Sequence, residues 1–183
     1  MSLLKPFAKL PELNTANVLL VDSEDTFQHV LADAIVQQKN NVNVNVRLAR
    51  SLPLPAENED SRPRIDLVVL ILHLRSELSL SSAETSLKQL DPDYFLGKVC
   101  FVVTGARCAS VPHERMAAVR KLATSLHCPL LFTEEQTAEG INTAACRVLN
   151  ILRVSAGLVP MATGLSLFSL IRSTLPPDLD YQD

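Results

Sequence analysis

Ile65–Leu72, apolar throughout except for Asp66, constrains the fold more than any other stretch. The run is far too short to span a bilayer, and without polar alternation it must be covered on both faces. It therefore reads as a central strand of a parallel sheet. Extended and helical patterns alternate on either side of it. Val18–Val21 is a short apolar strand, and Phe27, Val30, Leu31, Ala34 and Ile35 recur at the spacing of one helix face. Val42, Val44, Val46 and Leu48 alternate with Asn43, Asn45 and Arg47, the pattern of an edge strand wet on one face. Ser51–Pro63, with three prolines and Glu57, Glu59 and Asp60, is a surface loop.

Further along, Ser81 and Glu84 match a capping box opening a short helix with Leu87 and Leu90 on one face. Val99–Val103 is a second buried strand, ended by Thr104-Gly105-Ala106. Pro112 suits a first helical turn and precedes the stripe Met116, Val119, Leu122 and Leu126. Pro129–Phe132 supplies a fifth strand, and Ile141, Ala144, Ala145, Val148, Leu149 and Leu152 mark a last helix. Together these predict an α/β fold, a three-layer sandwich whose mostly parallel, roughly five-stranded sheet carries helices on both faces.

The chain of 183 residues is 47% hydrophobic and 20% charged, enough for a core without staples. A net charge of −3 counts against direct nucleic-acid binding. Cys100, Cys108, Cys128 and Cys146 have no paired spacing and read as free thiols of a reducing compartment. Lys5, Pro6, Lys9 and Pro11 break any signal-peptide core near the N-terminus. Val154–Ile171 is uncharged, yet Gly157, Pro160 and Gly164 make it a helix end, a turn and a short apolar appendage rather than a span. The expected organisation is an N-terminal arm over residues 1–16, an α/β domain over 17–156, a C-terminal helical extension over 157–172 and an acidic tail over 173–183.

In such folds ligands bind at the carboxyl ends of the strands, so those ends decide the function. A phosphate-binding loop needs glycines and a Lys followed by Ser or Thr; after the first strand stands Asp22-Ser23-Glu24-Asp25-Thr26-Phe27-Gln28-His29, with neither Gly nor Lys. One pair of carboxylates at about 4 Å repels by about 4 kcal/mol at an effective dielectric near 20, so a triphosphate is unwelcome there. The plainer reading is that Asp22 or Ser23 caps the first helix while Glu24 and Asp25 complement its dipole. The same acids invite comparison with a phospho-receiver domain, but the third strand ends in Ile71, Leu72 and His73 instead of an acceptor Asp, and no Lys follows the fifth strand. Nor does Thr104-Gly105-Ala106-Arg107-Cys108 offer the carboxylate that reads guanine.

The remaining reactive residues carry little. Cys108, His113, His127 and Cys128 lack the short spacings of a structural zinc site. Cys146 reads as a small core residue, and His73 is a base without an evident nucleophile. No catalytic, cofactor-binding or metal residue is expected. Unexplained apolar residues offer a partner surface instead: Tyr94, Phe95 and Leu96 in a loop, and Leu165, Leu167, Phe168 and Ile171 beyond the last helix, a tail that equally suits folding back over the domain's own sheet.

Several segments carry a resemblance. Leu10-Pro11-Glu12-Leu13-Asn14-Thr15-Ala16, Ser51-Leu52-Pro53-Leu54-Pro55, Arg62-Pro63-Arg64-Ile65-Asp66-Leu67, Phe95-Leu96-Gly97-Lys98-Val99-Cys100-Phe101, Thr104-Gly105-Ala106 and Ala156-Gly157-Leu158-Val159-Pro160 resemble the centromere protein M family in order and spacing. The resemblance implies a Ras-like fold, related to the P-loop NTPases, that has lost its nucleotide and switch machinery. The sequence departs from a full small GTPase in showing five strands instead of six, without the first-switch region and its hairpin strand, and the expected order is then 2-1-3-4-5. In function the resemblance implies a non-enzymatic structural subunit of the inner kinetochore, in the nucleus at the centromere, without cofactor, bound to centromere proteins I, H and K and chiefly to I. The competing class is a nucleotide-binding GTPase or a phospho-receiver.

Overall fold

The computed structural model describes residues 3–6, 9–38, 41–55, 62–108, 110–160 and 162–163. Five strands form one parallel sheet: β1 (Thr15–Val21), β2 (Asn43–Ala49), β3 (Leu67–His73), β4 (Val99–Thr104) and β5 (Leu130–Thr133). Their order is β2-β1-β3-β4-β5, with β3 in the middle and buried at every residue. Four helices connect and cover them: α1 (Asp25–Gln37), α2 (Glu77–Leu87), α3 (His113–Ser125) and α4 (Ala138–Ser155). The result is the three-layer α/β arrangement of a Ras-like fold.

Alternate residues of each strand face opposite layers, so the sheet has two cores. One face packs Val18, Leu20, Val69, Ile71 and Val102 against Leu31 and Ile35 of α1 and Val148 and Leu152 of α4. The other packs Leu19, Val68, Leu70 and Phe101 against Ala83 and Leu87 of α2 and Val119 and Ala123 of α3. At the β2 edge Asn43 and Asn45 are exposed, while Val44 and Val46 lean on the first core, as period-two alternation requires.

The helix after β3 begins at Glu77, earlier than the Ser81–Glu84 pattern predicts. Ser76 stands at its N-cap position, and Ser81 lies inside the helix with its hydroxyl donating to the Leu78 carbonyl. The buried face of α2 is Ser79, Ala83, Ser86 and Leu87, mostly small and polar, which hides the helical period. Pro112 is likewise the residue before α3 rather than its first turn. At the far end of α4, Gly157 sits at φ +75°, with Leu158 N–H donating to Arg153 and Gly157 N–H to Val154. That pairing closes the helix with a left-handed residue, as glycine permits. Leu158 folds back onto the first core. No helix among the described residues is long and apolar enough to cross a membrane.

Candidate functional site

Because the strands are parallel, their carboxyl ends form one rim. The register aligns His73 with Thr104 and Thr104 with Thr133, and Asp22 follows directly on Val21. Here, at the end of the sheet where folds of this class bind ligands, lies a buried polar cluster. His73 Nε2 donates to both carboxylate oxygens of Asp22, at 2.9 and 3.0 Å, and its Nδ1 lies 3.0 Å from Thr104 Oγ1. Asp22 and Thr104 are each 1% exposed and His73 6%. Asp22 Oδ1 also accepts the Glu24 N–H at 2.9 Å, and the His73 N–H donates to Ser79 Oγ.

Two further carboxylates reach His73 Nδ1, Glu24 at 3.9 Å from the loop before α1 and Glu135 at 3.7 Å from the loop after β5. Gly140, in the first turn of α4, packs tightly on the backbone of that second loop: a Cβ there would meet the Glu134 carbonyl oxygen at 2.6 Å. Thr137, whose hydroxyl accepts the Gly140 N–H, caps α4 in the same turn. Burial alone pulls the His73 pKa down, but the Asp22 hydrogen bond and the charges of Asp22, Glu24 and Glu135 outweigh it, and the net shift is upward.

This geometry corrects the expected role of Asp22 and Ser23. Neither side chain caps α1; Glu24 occupies the N-cap position without a side-chain bond, and the Asp22 carboxylate serves His73 and the Glu24 N–H. The acidic cluster is also compensated, since Asp25 pairs with Arg50 while Asp22 pairs with His73. Sequence separation concealed this, for Asp22 and His73 are 51 residues apart. A cavity of about 10 Å³ between α2 and the ends of β1 and β3, with Ser23, Arg50 and Ser79 among its lining residues, has room for about one water.

The other candidates separate. Helix α3 runs between His113 and His127, holding them about 20 Å apart at 1.5 Å per residue, and no group of three or more His, Cys, Asp or Glu among the described residues is arranged for a metal ion. All four cysteines are free; burial pushes the Cys128 thiol up to about 12 and Cys100 higher still. Cys146 is exposed, against the core position expected of it: it points away from the α4 face that carries Ala145 and Val148.

The loop carrying the expected partner residues lies at the opposite, amino-terminal end of the strands. Its 3₁₀ turn, Pro92–Phe95, is capped by Asp91, which accepts the Asp93 N–H. Tyr94 does not belong to an exposed surface: it is 0% exposed, packed in the second core with its hydroxyl 3.4 Å from the Ile65 carbonyl. A tight turn sends successive side chains in different directions, so Phe95 is half-buried against the same core and Leu96 is 56% exposed. Leu165, Leu167, Phe168 and Ile171 lie outside the described residues.

Residues 1–174 match the family model of Centromere protein M (CENP-M). The chain belongs to the centromere protein M family. Relatives bearing that name include one from Danio rerio, 58% identical over 180 residues that cover 98% of this chain and 97% of the relative. The Homo sapiens relative is 42% identical over 98% of this chain and 99% of its own length, and that of Xenopus laevis 43% over 97% and 99%. Family membership thus extends over nearly the whole chain, the rim and the Leu96 loop included.

Proposed function

We propose that this chain is a non-catalytic structural subunit of the inner kinetochore, a pseudo-GTPase that keeps the sheet of its fold class and has given up the nucleotide. One observation carries the reading: the rim where a phosphate loop would present backbone N–H groups is filled by the Asp22–His73 pair, with the Asp22 carboxylate fully buried. An anion there would meet Asp22, Glu24 and Glu135 around a single imidazole. Binding then falls to surface, and Leu96 is the exposed apolar side chain of the loop that enters β4.

The partners are centromere proteins I, H and K, chiefly the helical-repeat protein I, met by Leu96 with Phe95 and by the segment carrying Leu165, Leu167, Phe168 and Ile171. Support for one continuous face comes from α4, whose final Ser155 hydroxyl donates to the Gly97 carbonyl at 2.7 Å. The end of α4 therefore lies beside the loop that carries Leu96. Leu96→Asp combined with Leu165→Asp should abolish capture of the helical-repeat partner while the thermal midpoint stays nearly unchanged. Calorimetric titration with GTP and magnesium should give no saturable heat; micromolar binding would return the chain to the nucleotide-binding class.

A further inference from the structure

The rim holds one feature that scaffolding does not require. A hydrophobic residue would fill the end of β3 equally well, and a buried ion pair is seldom the more stabilising choice. Here an imidazole stands at the convergence of four elements. The end of β1 offers it Asp22, the start of α1 offers Glu24 and the edge-on ring of Phe27 at 6.3 Å, β4 offers Thr104, and the loop after β5 offers Glu135, while Ser79 of α2 accepts the His73 backbone N–H. The charged groups among these are all carboxylates.

We propose that this rim is a proton-binding site, in which the imidazolium of His73 ties the β1–α1 and β5–α4 loops to the end of the sheet. The atoms distinguish the two protonation states. In neutral imidazole, the proton on Nε2 serves Asp22, and Nδ1 accepts from the Thr104 hydroxyl. When one proton arrives from solvent on Nδ1, that nitrogen becomes a donor to Thr104 Oγ1, and the hydroxyl hydrogen turns elsewhere. Only this form carries the positive charge that attracts Glu24 and Glu135, at 3.9 and 3.7 Å. Both lie within the range over which opposite charges favour the charged form. Where a GTPase uses a ligand to order the loops at this rim, the present chain uses a proton, and it does so independently of the Leu96 face.

The test follows the ring nitrogens of His73 in the full-length ¹⁵N-labelled chain between about pH 5 and about pH 9, where histidine charge changes are read. Both nitrogens should be protonated at the acid end, with a midpoint above the ordinary 6.5. Amide protection at Glu24, Asp25, Glu134 and Glu135, taken relative to the intrinsic base-catalysed exchange rate at each pH, should fall above that midpoint. In Glu24→Gln with Glu135→Gln the midpoint should fall while the circular dichroism spectrum is kept. Glu135→Gln alone should give a smaller fall. A His73 that keeps a single protonated nitrogen down to the acid end of the range, a midpoint at or below 6.5, or a midpoint indifferent to both substitutions would overturn the proposal. Partner capture through Leu96 enters none of these readouts.

Discussion

Tyr94 and Leu96 are two residues apart, and their substitutions should separate folding from docking. Tyr94 has no exposed surface, so Tyr94→Ala opens a cavity in the core between the sheet and α2–α3. Large aromatic truncations of this kind cost about 3–5 kcal/mol. For a chain of this length each kcal/mol moves the midpoint by about 2–4 °C, so a fall of about 6–20 °C is expected. Tyr94→Phe removes only a hydroxyl whose contact with the Ile65 carbonyl is long, 3.4 Å, and should cost about 0.5–1 kcal/mol. Leu96 is 56% exposed, so Leu96→Ala forfeits no more than about 1 kcal/mol. Urea unfolding of the four proteins gives the energies, and capture of the helical-repeat partner gives the docking. Leu96→Ala should weaken capture, and Tyr94→Phe should leave it intact. Equal destabilisation by Leu96→Ala and Tyr94→Ala, or loss of capture with Tyr94→Phe alone, would refute the division of this turn into an inward and an outward side chain.

Further outcomes are expected elsewhere. Because the folded-state pKa of His73 is raised, its contribution to stability is fully present below the unfolded value of about 6.5 and is lost as pH rises through the folded value. Urea midpoints should therefore decline over that window in the natural chain and less so in His73→Gln. Thr137→Ala removes the cap that accepts the Gly140 N–H and should cost about 1 kcal/mol in urea unfolding. Gly157→Ala should cost about 1 kcal/mol by calorimetry through backbone conformation alone, since a Cβ at φ +75° meets nothing within 4 Å.

How much of this was legible in the residues depends on where the information resides. The strands β3 and β4 are visible because every residue but the last is apolar and every residue is buried. The stripe of α4 is visible because its buried face is apolar throughout, apart from Ser155 at its end. Helix α2 begins out of register with its pattern because Ser79 and Ser86 face inward: Ser79 accepts the His73 N–H, and Ser86 accepts the Leu52 N–H. Those are tertiary demands that no local period records. The rim shows the same limit more sharply. Asp22 reads as a cap of the first helix and His73 as a base without a nucleophile, and they meet only because β1 and β3 are neighbours in the sheet. The expected order 2-1-3-4-5 already makes β1 and β3 neighbours, so the pair is open to be found from it, since both residues stand at carboxyl ends. Tyr94 was misleading for another reason: in a turn of four residues an aromatic side chain can be the plug of the core below it.

The stretch from Tyr94 to Val99 is braced from both ends. Lys98 N–H donates to the Tyr94 carbonyl, the Lys98 ammonium donates to the terminal Ser155 carbonyl of α4, and Ser155 returns a bond to Gly97. Leu96 is thereby the summit of a small arch whose footings are already fixed, and arrival of a partner would have little backbone motion left to quench. An anchor prepared in this way forfeits less entropy at the moment of association. A single modest leucine can then matter to assembly out of proportion to its area.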